Sequence, residues 1–140
     1  MKTLKIWRNL MVMAVAVLSF TACGDDPDGK WSPMIWNAEV PAEKSDGVYT
    51  ASADGAVFAF SCENYTSPWI AEAWFNGEFY AVLETSDHRT VANGWAKAEI
   101  TGNTLKVVFE PNETTETRSL YLTVTAGDIF YSFRFKQFAK

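Results

Sequence analysis

The chain has little of what catalysis usually needs. It carries one histidine and two cysteines in 140 residues. The histidine, His88 in Asp87-His88-Arg89, cannot build a zinc site, which takes three or four ligands. Ser86 lies two positions away, but neighbours on a polar stretch do not make the nucleophile, base and acid of a triad. No Gly-rich phosphate loop is present. Glu78 and Glu84 could share a strand face, yet nothing beside them suggests the cleft that a glycosidase carboxylate pair spans. The chain therefore reads as a non-enzyme with no metal and no cofactor. Positive charge is also scarce, with 12 Lys and Arg against 17 Asp and Glu, a net charge of −5. That balance disfavours nucleic acid and anionic lipid as partners and fits neutral ligands or simple solubility. The apolar run Leu10–Phe20 is too short for a comfortable membrane span.

That run has another use. Lys2, Lys5 and Arg8 precede it and Phe20-Thr21-Ala22-Cys23 follows it, the order of a secretory leader. Small residues before a cysteine at this point resemble a lipobox, with Phe20 where Leu is usual. The resemblance implies cleavage before Cys23 and lipid on its thiol and new amine. Residues 1–22 are then the signal peptide, 23–30 an acidic flexible tether carrying Asp25, Asp26 and Asp28, and 31–140 the domain. Cleavage removes three positive charges and no negative one, so −5 becomes −8. Cys62 is left without a disulfide partner. It shares parity with Phe58 and Phe60 and is expected in the core.

The domain alternates with period two, the pattern of half-buried strands. Leu120–Val124 and Ile129–Gln137 flank a turn at Gly127-Asp128, which sets Val124 against Tyr131, Leu122 against Phe133 and Leu120 against Phe135. Arg118 then faces Gln137, both with inward parity. Trp95–Ile100 and Thr104–Glu110 flank Gly102-Asn103 and pair Ala96, Ala98 and Ile100 with Phe109, Val107 and Leu105. On the other face Glu99 meets Lys106, an opposite-charge pair contributing about 0.2–1 kcal/mol. Val48–Ser52 and Val57–Cys62 are further strands, and Trp31–Val40 is an edge strand or an extended lead-in. Residues 69–84 could start as a helix after Ser67-Pro68, but Asn76-Gly77 favours a hairpin. In that hairpin Ile70, Glu72, Trp74, Phe79, Ala81 and Leu83 form the expected core face, and Trp69, Phe75 and Tyr80 share a wetter face with Glu78 and Glu84. Residues 85–94 read as a polar loop. The total is an all-β antiparallel sandwich of about seven or eight strands.

The closing stretch, with Asn112, Arg118, Gly127 and Gln137, resembles the end of a BACON domain (Bacteroidetes-associated carbohydrate-binding often N-terminal). Asn64 and Trp69 also sit where that pattern often has Asn and then Trp. The resemblance runs from about Ser45 to Lys140 and is tightest after Trp95. It implies an immunoglobulin-like sandwich, and an architectural role for Arg118 and Gln137. The acidic run after Cys23 resembles the signal that sends lipoproteins of this bacterial group outward. Together these imply an outer-membrane protein facing the cell exterior, held by lipid at Cys23 alone, with glycans or other surface glycan-utilisation proteins as partners.

Aromatic residues make up 15% of the chain, more than a core of this size needs. Sugar rings present C–H faces on which exposed aromatic rings stack. Trp69, Phe75 and Tyr80, on the wetter face of one hairpin, and Trp95, on that of another, are the candidate ligand platform. The alternative is that these rings pack beneath loops or a partner module, and that the domain is a structural spacer or protein-interaction module.

Overall fold

The computed structural model describes residues 31–82 and 87–140. Within them eleven strands run in order: β1 (Trp36–Ala38), β2 (Lys44–Ser45), β3 (Val48–Ala51), β4 (Ala56–Cys62), β5 (Trp69–Phe75), β6 (Glu78–Tyr80), β7 (Thr90–Ala92), β8 (Ala96–Thr101), β9 (Thr104–Phe109), β10 (Arg118–Thr125) and β11 (Phe130–Gln137). They form two sheets, ordered β1-β4-β9-β8-β7 and β2-β3-β11-β10-β5-β6. The result is an immunoglobulin-like β-sandwich. The count exceeds seven or eight because β1, β2, β6 and β7 are edge strands of two or three residues, too short to show periodicity. The sandwich also departs from pure antiparallel pairing, since β11 pairs with β3 in parallel.

The registers of the two long hairpins follow from their turns. Val124 pairs with Tyr131, Leu122 with Phe133, Leu120 with Phe135 and Arg118 with Gln137. Ala96 pairs with Phe109, Ala98 with Val107 and Ile100 with Leu105. Glu99 does face Lys106, but its carboxylate bonds Lys97 two residues away at 3.2 Å. Asn76 and Gly77 both hold positive φ, 51° and 78°, as a two-residue hairpin turn requires. The same turn joins β2 to β3 through Asp46 (51°) and Gly47 (79°). The stretch 85–94 likewise contains β7, whose Val91 is buried.

The core is aromatic. Phe58 and Phe60 of one sheet meet Phe135 and Phe133 of the other with ring centroids 5.1 and 4.8 Å apart, within the range of favourable ring pairs. Tyr49 closes the side against Phe60 at 5.0 Å. Cys62 is buried and free, as its parity predicts. Gln137, fully buried, donates from Nε2 to the carbonyls of Ser52 (3.1 Å) and Glu110 (2.7 Å), which ties the ends of β3 and β9 to β11. Buried Asn112 donates to the carbonyls of Glu116 (2.8 Å) and Phe138 (3.1 Å) and accepts from the Thr114 amide and hydroxyl. These amides satisfy main-chain carbonyls that would otherwise lose water without a partner.

Candidate functional site

An irregularity in β5 decides which aromatics face out. Thr123 of β10 pairs with Glu72, and the next residue, Val124, pairs with Ile70. Ala71 is therefore an extra residue, a β-bulge. Beyond it the alternation reverses: Ile70, Ala73 and Phe75 are buried, while Glu72 and Trp74 turn to the other face. The expected core face of the 69–84 hairpin is thus correct at Ile70 and wrong at Glu72, Trp74, Phe79 and Ala81. A simple period of two cannot carry parity across a bulge. The hairpin itself and its register, with Trp74 against Phe79 and Ala73 against Tyr80, are as the Asn-Gly turn predicts. Leu83 and Glu84 lie outside the described residues.

Phe75 is 1% exposed and belongs to the core, so it cannot stack on a ligand. Tyr80 and Trp95 are half-buried and pack edge-on against Phe75 at 4.8 and 5.4 Å. Trp95 also stacks on Phe109 at 6.0 Å and carries the Arg118 guanidinium at 5.3 Å from its ring. The expectation that Trp95 lies on a wetter face is corrected: its ring covers the inner aromatics at one end of the sandwich. Trp69 sits elsewhere, paired with Thr125 at the far end of β5. The structure therefore brings Phe75, Tyr80 and Trp95 together as packing and leaves Trp69 apart from them.

The outer face of the six-stranded sheet carries a different constellation. Pairing aligns Val48, Arg134, Tyr121, Trp74 and Phe79 in one row across five strands. Phe79 is 58% exposed and meets Trp74 edge-on at 5.5 Å. Arg134 lies over the Tyr121 ring at 5.8 Å. A second row holds Trp69, Thr125 and Phe130, with Phe130 59% exposed. Tyr121 and Thr125 are four residues apart on β10, so the two rows are about 13 Å apart. Between them lies a polar row of Glu72, Thr123 and Ser132.

The polar groups hold the rings in place. The Trp74 indole N–H donates to the Glu72 carboxylate. The hydroxyls of Tyr121 and Ser132 are hydrogen-bonded at 2.9 Å. That bond, then one with Thr123, holds the Tyr121 phenol below its ordinary pKa. Beside Tyr121 the face dips into a shallow groove of about 370 Å³ bordered by Val48, Arg118, Ser119, Tyr121, Arg134 and Lys136. Half-exposed rings separated by hydrogen-bonding groups can stack on the C–H faces of sugars and bond their hydroxyls. Among the described residues no group of His, Cys, Asp and Glu could hold a metal. His88 is an exposed turn residue at φ 59°.

Sequence reasoning missed Trp74, Phe79, Tyr121 and Phe130 as surface residues. For Tyr121 and Phe130 the signal was available, because both have outward parity in the hairpin whose register the turn fixes. For Trp74 and Phe79 the bulge concealed it.

An immunoglobulin-like sandwich with an aromatic outer sheet face is thus the class of protein the fold defines. No protein-family model and no curated protein matches the chain. Among solved structures it is similar to a protein from Bacteroides thetaiotaomicron determined by NMR, with 35% identity, 83% of this chain and 95% of that one covered, and a TM-score of 0.70. The chain belongs to the same family as that Bacteroides protein. It is also similar to the M1 domain of titin, at 10% identity, 78% and 96% coverage and TM-score 0.49, and to titin domain M7, at 16%, 75% and 93%, and 0.46.

Proposed function

We propose that this domain is a non-catalytic carbohydrate-binding module of the BACON type on a lipoprotein, anchored through Cys23 at the outer membrane and facing the cell exterior. The observation that carries the reading is the outward row of Phe79, Trp74 and Tyr121 on the six-stranded sheet. An open sheet face with rings in line suits an extended polysaccharide better than a small sugar, which prefers an enclosing pocket. Trp69 stays in the proposal with Phe130 as a second contact row. Tyr80 and Trp95 enter it only as rings packed on Phe75. The family shared with a Bacteroides protein supports the BACON assignment, as do Asn112, Arg118 and Gln137, all held in architectural contacts.

A glycan array probed with the soluble chain from Asp25 onward tests this. Stacking by Trp74 should show as a loss of about ten-fold or more in Trp74→Ala, since burying one large ring contributes about 1.5–3 kcal/mol. Trp95→Ala should instead lower stability. An array with no retained glycan, or equal retention by Trp74→Ala, would refute the platform. A second reading is a protein-interaction or spacer module. It draws on the same face, because Phe79 and Phe130 are exposed large apolar groups of the kind that mark protein contacts.

A further inference from the structure

Resting on that reading, we infer that the glycan is acidic: its carboxylates or sulfates are received by Arg134 and Lys136 while its rings stack on Tyr121 and Trp74. The two cations are alternate residues of β11, so they point the same way, about 7 Å apart. Both are exposed, and they border the groove beside Tyr121. The mature chain keeps nine of its 12 Lys and Arg, since the leader takes three. Two of those nine therefore stand side by side at one groove of a protein whose net charge is −8.

Neither Arg134 nor Lys136 is ion-paired among the described residues. Among the described residues the ion pairs are Lys97–Glu99 and Lys140–Glu113. Arg134 instead lies over Tyr121 and Lys136 lies 6.0 Å from the Phe138 ring. These contacts engage the charged heads through ring faces, which accept no N–H bond in the plane of the guanidinium fork and leave donors for an anion. Arg134 offers a planar fork that fits a carboxylate or a sulfate with two bonds. The acid on this face, Glu72, is turned to the Trp74 indole and stands two strands away from β11, about 10 Å. The protein's overall negative charge does not forbid an anionic ligand. At physiological salt the screening length is about 8 Å, so distant acids are damped while cations in contact are not.

The arrangement thus divides the face by chemistry. The β5–β6 side supplies rings and the β11 side supplies positive charge, with Tyr121 of β10 in both. A neutral glycan would use only the first half.

The test measures binding of the soluble chain from Asp25 onward by affinity electrophoresis. The described core closes within residues 31–140, and the Bacteroides relative, 95% of which is matched by this chain, has a folded structure of nearly this domain alone. The probes are polygalacturonate, its methyl ester, dextran sulfate and dextran. Retardation by polygalacturonate, a drop of ten-fold or more on methyl esterification, and a similar drop in Arg134→Ala/Lys136→Ala establish a uronate ligand. The same pattern with dextran sulfate over dextran establishes a sulfated one. Both cations are exposed, so the double variant should keep its melting temperature. Neutral polymers bound as well as acidic ones, with the double variant unaffected, overturn the inference and leave the platform standing. Acidic binding unchanged by Trp74→Ala also overturns it, because charge alone would then suffice. No retention on any probe here, and none on the array, overturns both readings.

Discussion

Gly55 holds φ at +102°, and a Cβ there would stand 2.8 Å from the carbonyl oxygen of Phe109. Main chain cannot yield as a flexible side chain can, so Gly55→Ala combines strain at positive φ with a clash. Gly47, at φ +79°, has nothing within 4 Å of the same position, so its alanine meets only the strain. Urea denaturation should give a loss of about 3 kcal/mol for Gly55→Ala and about 1 kcal/mol for Gly47→Ala. Equal losses would show that the junction after β3 relaxes freely. Gln137 makes a related point about single residues. A side-chain amide with no exposed surface serves two carbonyls on different strands. Such a residue closes the sandwich end. The neighbouring Arg118 owes its place to the Trp95 ring, a cation–π contact of about 0.5–2 kcal/mol.

Among the elements, β5 sets the proposed ligand face, because the bulge at Ala71 sends Trp74 outward. Deleting Ala71 would leave Ile70, Ala73 and Phe75 on the inner face in simple alternation, so the core can survive. It would also shorten the separation of Trp69 and Trp74 and remove the added twist of the bulge. The deletion should therefore fold, with a loss of about 1–3 kcal/mol, yet retain glycans on the array at least ten-fold less well. Undiminished retention by a folded deletion variant would show that the ring spacing is irrelevant. The bulge also marks the limit of what was legible. Registers set by Asn76-Gly77, Gly102-Asn103 and Gly127 could be read residue by residue, because a two-residue turn fixes every pair that follows. The inward parity of Gln137 came from the same logic, and that of Cys62 from its alternation with Phe58 and Phe60. A bulge has no such signature: Trp69-Ile70-Ala71-Glu72-Ala73-Trp74 reads equally well in either phase, and only pairing with β10 selects one. The two- and three-residue edge strands escaped for a similar reason, being made by their partners and not by their own pattern. So the scaffold was largely readable, whereas the face that carries the candidate site was set by a long-range contact.

A lipid anchor would change what the proposed aromatic face can do. One sheet face offers few contacts to any single sugar, so an isolated domain should bind weakly. Many copies on one surface, facing one polymer, convert later contacts into intramolecular ones, which can raise overall affinity by about 10²–10⁴ without a new contact. The proposed anchor at Cys23, outside the described residues, would supply that arrangement. One acyl chain gives only marginal attachment, whereas two or more hold stably, at about 0.8 kcal/mol per buried CH₂. Cys23→Ser removes the thiol that would carry the lipid and leaves residues 31–140 unchanged. It should move the protein from the membrane fraction to the soluble one, and cells carrying it should lose adhesion to glycan-coated beads. The purified variant should still retain the same glycan with the affinity of the soluble chain. Membrane retention unchanged by Cys23→Ser would refute lipidation there. Release without loss of cell adhesion would refute the idea that clustering on the surface makes a weak face effective.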